Sequence, residues 1–226
     1  MQELIQVAGI IDLEEAELLI NAGVDYLGFP LRLPVNKEDL SEEEAAKIIK
    51  TISPPAKGVL ITYLDTAKEI VEFADKLGVK VVQLHGKISK SELIKTKELK
   101  PDLEIIKSLV IGEYSQDELL TIINEHSNWI DAYITDTFDP KTGASGATGK
   151  THDWAISKKI IEISKKPVIL AGGLNADNVR EAILTVKPAG VDVHTGIENK
   201  SGRKDPELLT RFVQNAKKAF EEIKGK

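Results

Sequence analysis

The sequence predicts a single (β/α)8 barrel, and three observations carry that expectation. Short β-branched apolar runs alternate with longer amphipathic stretches along all 226 residues. The apolar runs are continuous rather than alternating, as in strands buried on both faces of a parallel sheet. Their spacing is even, roughly 28 residues per cycle when 226 is divided by eight, which is near the lower size limit of that barrel. A doubly wound open sheet shares the alternation, but even spacing to the last residue favours closure. No Pro-, Gly- or Ser-rich linker and no shift in composition divides the chain, so residues 1–226 read as one α/β domain.

The strand runs, in order, are LIQVA (residues 4–8), DYLGF (25–29), KGVLIT (57–62), VKVVQL (79–84), LEIIKSL (103–109), IDAYIT (130–135), PVILA (167–171) and GVDV (190–193). Helix signals lie between them. Asp12 and Glu15 form a capping-box pattern ahead of AELLINAG, and Gly23 stops that helix. Ser41 opens EEEAAKIIKTI, and Pro54-Pro55 ends it. DTAKEIVEFADKLG closes on Gly78, SQDELLTIINEH begins at Ser115, and a further helix starts near Asp153. NADNVREAILTV follows from Asn175, and the last helix has Asp205 as cap with Pro206 at its first position.

Composition narrows the function classes. Hydrophobic residues make up 42% and charged residues 29% of the chain, and the net charge is -6 with Lys and Glu interspersed. That balance argues against a nucleic-acid surface and for solvated helix faces. The chain has no Cys, which excludes disulfides, thiolate metal sites and a thiol nucleophile. The opening MQELIQVAGII has no basic leader, and its apolar run is too short for a signal peptide or a membrane span. A cytoplasmic enzyme is the default expectation.

In either α/β architecture, functional groups gather at the carboxyl ends of the strands. Reading only those positions gives Ala8-Gly9, Gly28-Phe29, Thr62, Gln83 with His85-Gly86, Lys107-Ser108, Asp136, Gly172-Gly173, and Asp192 with His194-Thr195-Gly196. Glycine is concentrated late in this set, and a Gly-rich loop with Gly146 and Gly149 follows the sixth strand. Backbone N–H groups free of Cβ bulk can close on an anion beside a helix N-terminus. AGGLNADN and HTGIENKSGRKD therefore read as a phosphate site after strands seven and eight. Tight turns alone also explain glycines, and one such loop would be weak evidence.

Asp136 lies too far from the next helix to cap it, so it reads as a general acid or as an acceptor for a sugar hydroxyl. Asp192, between two valines on a buried strand, must be paired or functional. Strand periodicity places His194 on the same side as Asp192, and imidazole suits proton transfer near neutral pH. His85 reads more simply as a donor to a loop carbonyl, and His152 as a surface residue.

VQLHG, DTFDPKTGASGATGKTHDW, LAGGLNADNV and GVDVHTGIENKSGRKD, with AGVDYLGF and AGIIDLEEA, resemble the phosphoribosylanthranilate isomerase family over essentially the whole chain. The resemblance implies a (β/α)8 barrel acting in tryptophan biosynthesis, without cofactor or metal. The implied reaction is an Amadori-type aldose–ketose isomerisation of a phosphorylated small molecule, by a monomer or homodimer. It implies Asp136 as the general acid on the ribose ring oxygen. It places the phosphate at Gly172-Gly173 and Thr195-Gly196, near the loop of Gly146 and Gly149.

The family's general base is a cysteine in a K-x-C-G-I motif on strand one. Here that stretch is QVAGI, with Gln6 for the lysine and Ala8 for the cysteine. The family's arginine after strand two has no clear counterpart, and Arg32 and Lys37 are substitutes by neighbourhood only. His194 stands where the family has serine, and His152 where it has an aromatic residue. In a closed barrel His194 would lie beside Ala8, so it is the candidate relocated base; lending a hydrogen bond to the phosphate is its alternative role. Two further functions stay open. One is a diverged isomerase, epimerase or lyase acting on another phosphosugar, and the other is a phosphometabolite-binding protein without turnover.

Overall fold

A computed structural model describes residues 2–34, 38–139, 144–145 and 151–225. Eight parallel strands form its sheet: β1 (Leu4–Ala8), β2 (Tyr26–Pro30), β3 (Lys57–Thr62), β4 (Val81–Leu84), β5 (Glu104–Ile111), β6 (Ala132–Asp139), β7 (Val168–Leu170) and β8 (Gly190–Val193). Consecutive strands pair from β1 to β8, and β1 also pairs with β8, which turns the sheet into a ring. The open-sheet alternative is thereby excluded. At the closing seam Gln6 is level with Asp192, and Val7 with Val193.

Eight α-helices follow the strands among the described residues: α1 (Leu13–Ala22), α2 (Glu42–Ile49), α3 (Ala67–Leu77), α4 (Lys90–Leu99), α5 (Gln116–His126), α6 (Trp154–Ile163), α7 (Val179–Val186) and α8 (Pro206–Lys224). A large apolar cluster joins helices to strand backs, and a smaller one fills the barrel with residues such as Val59, Ile61, Ile106, Ile134 and Ile169. Strand residues alternate between the two, so continuous apolar runs are needed. Each such Ile or Val contributes about 1.5–3 kcal/mol when fully buried. No helix among the described residues is long and apolar enough to cross a membrane.

Most punctuation acts as the sequence predicts. Ser41 and Ser115 form full capping boxes, Gly23 and Gly78 adopt left-handed φ of 82° and 76°, and Asp205 accepts from the N–H groups of Glu207 and Leu208. The first helix differs. Asp12 accepts from Glu15 N at 2.9 Å, but Glu15 does not close the box. Its carboxylate instead accepts from Ile11 N at 3.2 Å and from Lys204 N at 2.8 Å, because the last loop brings a distant backbone donor to it. α4 carries only a faint apolar stripe, with Leu93 and Thr96 buried, so it is visible mainly through its Ser89 cap. β6 runs four residues beyond the predicted Thr135, to Asp139, and its end pairs antiparallel with Ala144–Ser145. Asp136 is thus inside the strand rather than at its end.

Candidate functional site

Asp136 shares the inward face of β6 with Ala132 and Ile134, both part of the interior cluster. Its Oδ1 accepts from Thr137 N at 2.8 Å. Burial disfavours the charged form and pushes its carboxyl up to about 7, against which that hydrogen bond works only weakly. At neutral pH the site therefore holds a carboxyl group able to give up a proton.

His194 follows β8 and lies flat against the first loop. A Cβ built on Gly9 would sit 2.1 Å from His194 Nε2, and Gly9 itself has a φ of 76°. Glycine is required there on both counts. The imidazole thus lies against the backbone of the residue that follows Ala8. His194 Nε2 is 3.4 Å from Glu198 Oε1, which also receives Lys204 Nζ at 2.6 Å. Burial, then the Lys204 charge, hold the imidazole well below its ordinary range, at about 4, so it is neutral with a lone pair available.

The loops after β6, β7 and β8 meet through glycines. Gly172 and Gly173 have φ of 97° and 64°, and a Cβ on Gly172 would fall 2.2 Å from Thr137 Oγ1. A Cβ on Gly196 would fall 1.8 Å from Leu174 O. Asn178 Nδ2 donates to Gly173 O at 3.0 Å, and Asn175 Oδ1 accepts from the N–H groups of Asp177 and Asn178, so a turn precedes α7 and the helix starts at Val179 rather than after Asn175. Thr195–Ile197 form one 3-10 turn. Gly146, Gly149 and Lys37 lie outside the described residues.

His152 is not the surface residue the sequence suggests. Its Nδ1 lies 2.9 Å from Thr137 Oγ1 and its Nε2 2.6 Å from Ser157 Oγ, so it ties β6 to α6 and backs Gly172. Burial lowers it to about 4.

The β1–β4–β5 wall carries a hydrogen-bonded chain. Gln6 Nε2 donates to Gln83 Oε1 at 2.8 Å, Gln83 Nε2 donates to Ser108 Oγ at 3.4 Å, and Ser108 Oγ lies 2.9 Å from His85 Nδ1. His85, expected to reach a loop carbonyl, thus meets the Ser108 hydroxyl on β5. Tyr63 meets the His85 ring edge-on with centroids 5.1 Å apart. Burial and then the Asp136 charge push the Tyr63 hydroxyl up to about 12. Lys107 faces away from the interior: its ammonium donates to Leu84 O and Ser108 O, and burial lowers it to about 8.

Arg32 is committed elsewhere. It pairs with Glu42 at 2.8 Å and lies over the Phe73 ring at 3.7 Å, toward α2 and α3. Sequence reasoning missed Tyr63, Glu198 and Lys204. Tyr63 had a local signal, an aromatic residue directly after a strand end. The Glu198–Lys204 pair had none beyond opposite charges in one loop.

Comparison with known proteins identifies the family and agrees with the fold. A family model for N-(5'-phosphoribosyl)anthranilate (PRA) isomerase matches residues 5–215. A Methanosarcina mazei protein named N-(5'-phosphoribosyl)anthranilate isomerase 2 is 36% identical over 223 residues, covering 98% of this chain and 97% of its own. The crystal structure of phosphoribosyl anthranilate isomerase from Thermotoga maritima superposes with a TM-score of 0.80 at 28% identity, covering 96% of this chain and 99% of that one. A structure of such an isomerase in complex with reduced 1-(o-carboxyphenylamino)-1-deoxyribulose 5-phosphate gives 0.77 at 26% identity, with the same coverage of 96% and 99%.

Proposed function

Since the chain belongs to the N-(5'-phosphoribosyl)anthranilate isomerase family, we propose that it carries out the family's Amadori rearrangement with a relocated base. Asp136 gives a proton to the ribose ring oxygen as the C1'–O bond opens to an iminium. His194 then takes the C2' proton, and the resulting enolamine tautomerises to the ketose. Gly172, Gly173, Thr195 and Gly196 receive the phosphate, while Gln83 and His85 form the opposite wall.

One observation supports this most directly. A single cause, burial, raises Asp136 to about 7 and lowers His194 to about 4, so near neutral pH a large share of the acid holds its proton while the base is free of one.

The test is steady-state conversion of phosphoribosylanthranilate by the purified protein, followed by loss of anthranilate-type fluorescence. Turnover above the uncatalysed rate is expected, and none at all would defeat the proposal. If His194→Ala turned over as fast as the parent, the relocated base would be wrong. Ala8 by itself favours a second reading, a binding protein without turnover. That reading requires phosphosugars to raise the melting temperature while no product forms.

A further inference from the structure

The Amadori sequence leaves the protein out of balance. After one turnover Asp136 has lost a proton to the ring oxygen, and His194 has gained one from C2'. Tautomerisation of the enolamine moves the C2' hydroxyl proton to C1' within the substrate, so it corrects neither residue. Before the next cycle Asp136 must regain a proton and His194 must lose one, either through water or through a protein group that joins them.

We infer that Asp192 is this relay: it gives its own proton to Asp136 and is refilled from His194. The inference rests on the isomerase reading above. Asp192 is level with Gln6 across the closing seam, and Gln6 turns into the barrel toward Gln83. It lies two residues before His194 on the same strand end. The field of Asp136, from the facing β6, reaches it.

Its Oδ1 is enclosed and has no hydrogen-bond partner among the described residues. Carboxylates with structural duties in this molecule are satisfied: Asp25 accepts from Ile5 N at 2.8 Å, and Asp131 from Lys97 Nζ and Ile105 N, both at 2.7 Å. A buried carboxyl oxygen left without a donor is costly unless it is protonated or reserved for a transient partner.

The charged and polar groups facing Asp192 are few. Gln6 comes from β1, Asp136 from β6, and Lys204 from the segment before α8. Lys204 is already paired with Glu198 at 2.6 Å. Burial and the neighbouring Asp136 charge push Asp192 up to about 7, close to the value for Asp136, so a proton passes between them with little change in free energy.

The bookkeeping closes. Asp136 loses a proton and regains one from Asp192; Asp192 loses that proton and regains one from His194; His194 returns to its neutral form.

Asp192→Asn keeps the shape and removes the relay. With enzyme in excess over phosphoribosylanthranilate, its first turnover should match the parent within about threefold, while steady-state kcat falls by about 10²-fold, in the range of a lost acid–base group. Added formate should restore steady-state turnover in a concentration-dependent way, which a merely structural defect would not allow. Unchanged steady-state turnover in Asp192→Asn, or equal losses in both regimes with no formate rescue, overturns the relay and leaves the isomerase reading standing. A parent protein without turnover removes both.

Discussion

The two halves of the barrel mouth are built on different terms. Around β6, β7 and β8 the site is made of backbone: Gly172, Gly173 and Gly196 are held where a Cβ would strike Thr137 Oγ1 or Leu174 O, or where φ is positive. Around β1 and β2 it is made of side chains, Gln6 and Ala8 among them, while Arg32 turns away to Glu42. A cradle built from steric exclusion tolerates almost no substitution. A proton acceptor needs only a lone pair within reach, so it can come from a neighbouring strand. The glycine half is therefore the rigid one, and the side-chain half is the one that a substitution can retune.

The sharpest way to break this comparison is Asp136→Asn. It should lower kcat/KM by about 10²–10⁴-fold, the usual range for a general acid, with binding of the product analogue nearly unchanged by calorimetry. The same residue sets a pH limb: kcat/KM of the parent should fall as pH rises through about 7, where Asp136 ionises. Stability follows the same sign. Between the ordinary value of 3.8 and about 7 the folded state binds the extra proton, so this residue's contribution is lost as pH rises through that window. The melting temperature of Asp136→Asn should therefore exceed the parent's at pH 8 and approach it at pH 4. His194 has the opposite sign, since its folded value of about 4 lies below the ordinary 6.5 and stability falls with falling pH between them.

Next in size is His194→Ala, which should cost about 10²-fold in kcat. Adding Ala8→Cys to that variant should recover part of the loss, because it returns a base to the first strand. If the cysteine restores nothing while the fold is intact by circular dichroism, the two positions do not serve the same substrate carbon.

Gly172→Ala probes the other half. Strain from positive φ and the contact with Thr137 Oγ1 should destabilise the protein by about 1–3 kcal/mol and raise KM more than it lowers kcat. The smallest effect belongs to Arg32→Ala. It loses a half-exposed pair with Glu42 and the stack on Phe73, about 0–1 kcal/mol, and turnover should be unchanged. A large rise in KM would mean that Arg32 leaves Glu42 to meet the substrate.

Local chemistry was legible from the residues alone. Continuous apolar runs revealed the strands, and Ser41, Ser115, Gly23 and Gly78 marked helix ends because each acts on atoms a few positions away. Asp136 stood out as an acid that nothing nearby needed. Long-range contacts were not legible. Glu15 is diverted by Lys204 N, 189 positions later, and the Gln6–Gln83 bond spans 77 positions. His152 looked exposed because its partners, Thr137 and Ser157, are brought to it only by the closed fold.

The pairing of Leu4 through Val7 with residues 190–193 has a consequence for the growing chain. As the polypeptide leaves the ribosome, one flank of Leu4–Val7 stays unsatisfied until residues 190–193 have been made. A nascent intermediate therefore exposes two raw edges that could join a neighbour instead of each other. The same late union brings the imidazole of His194 to Gly9.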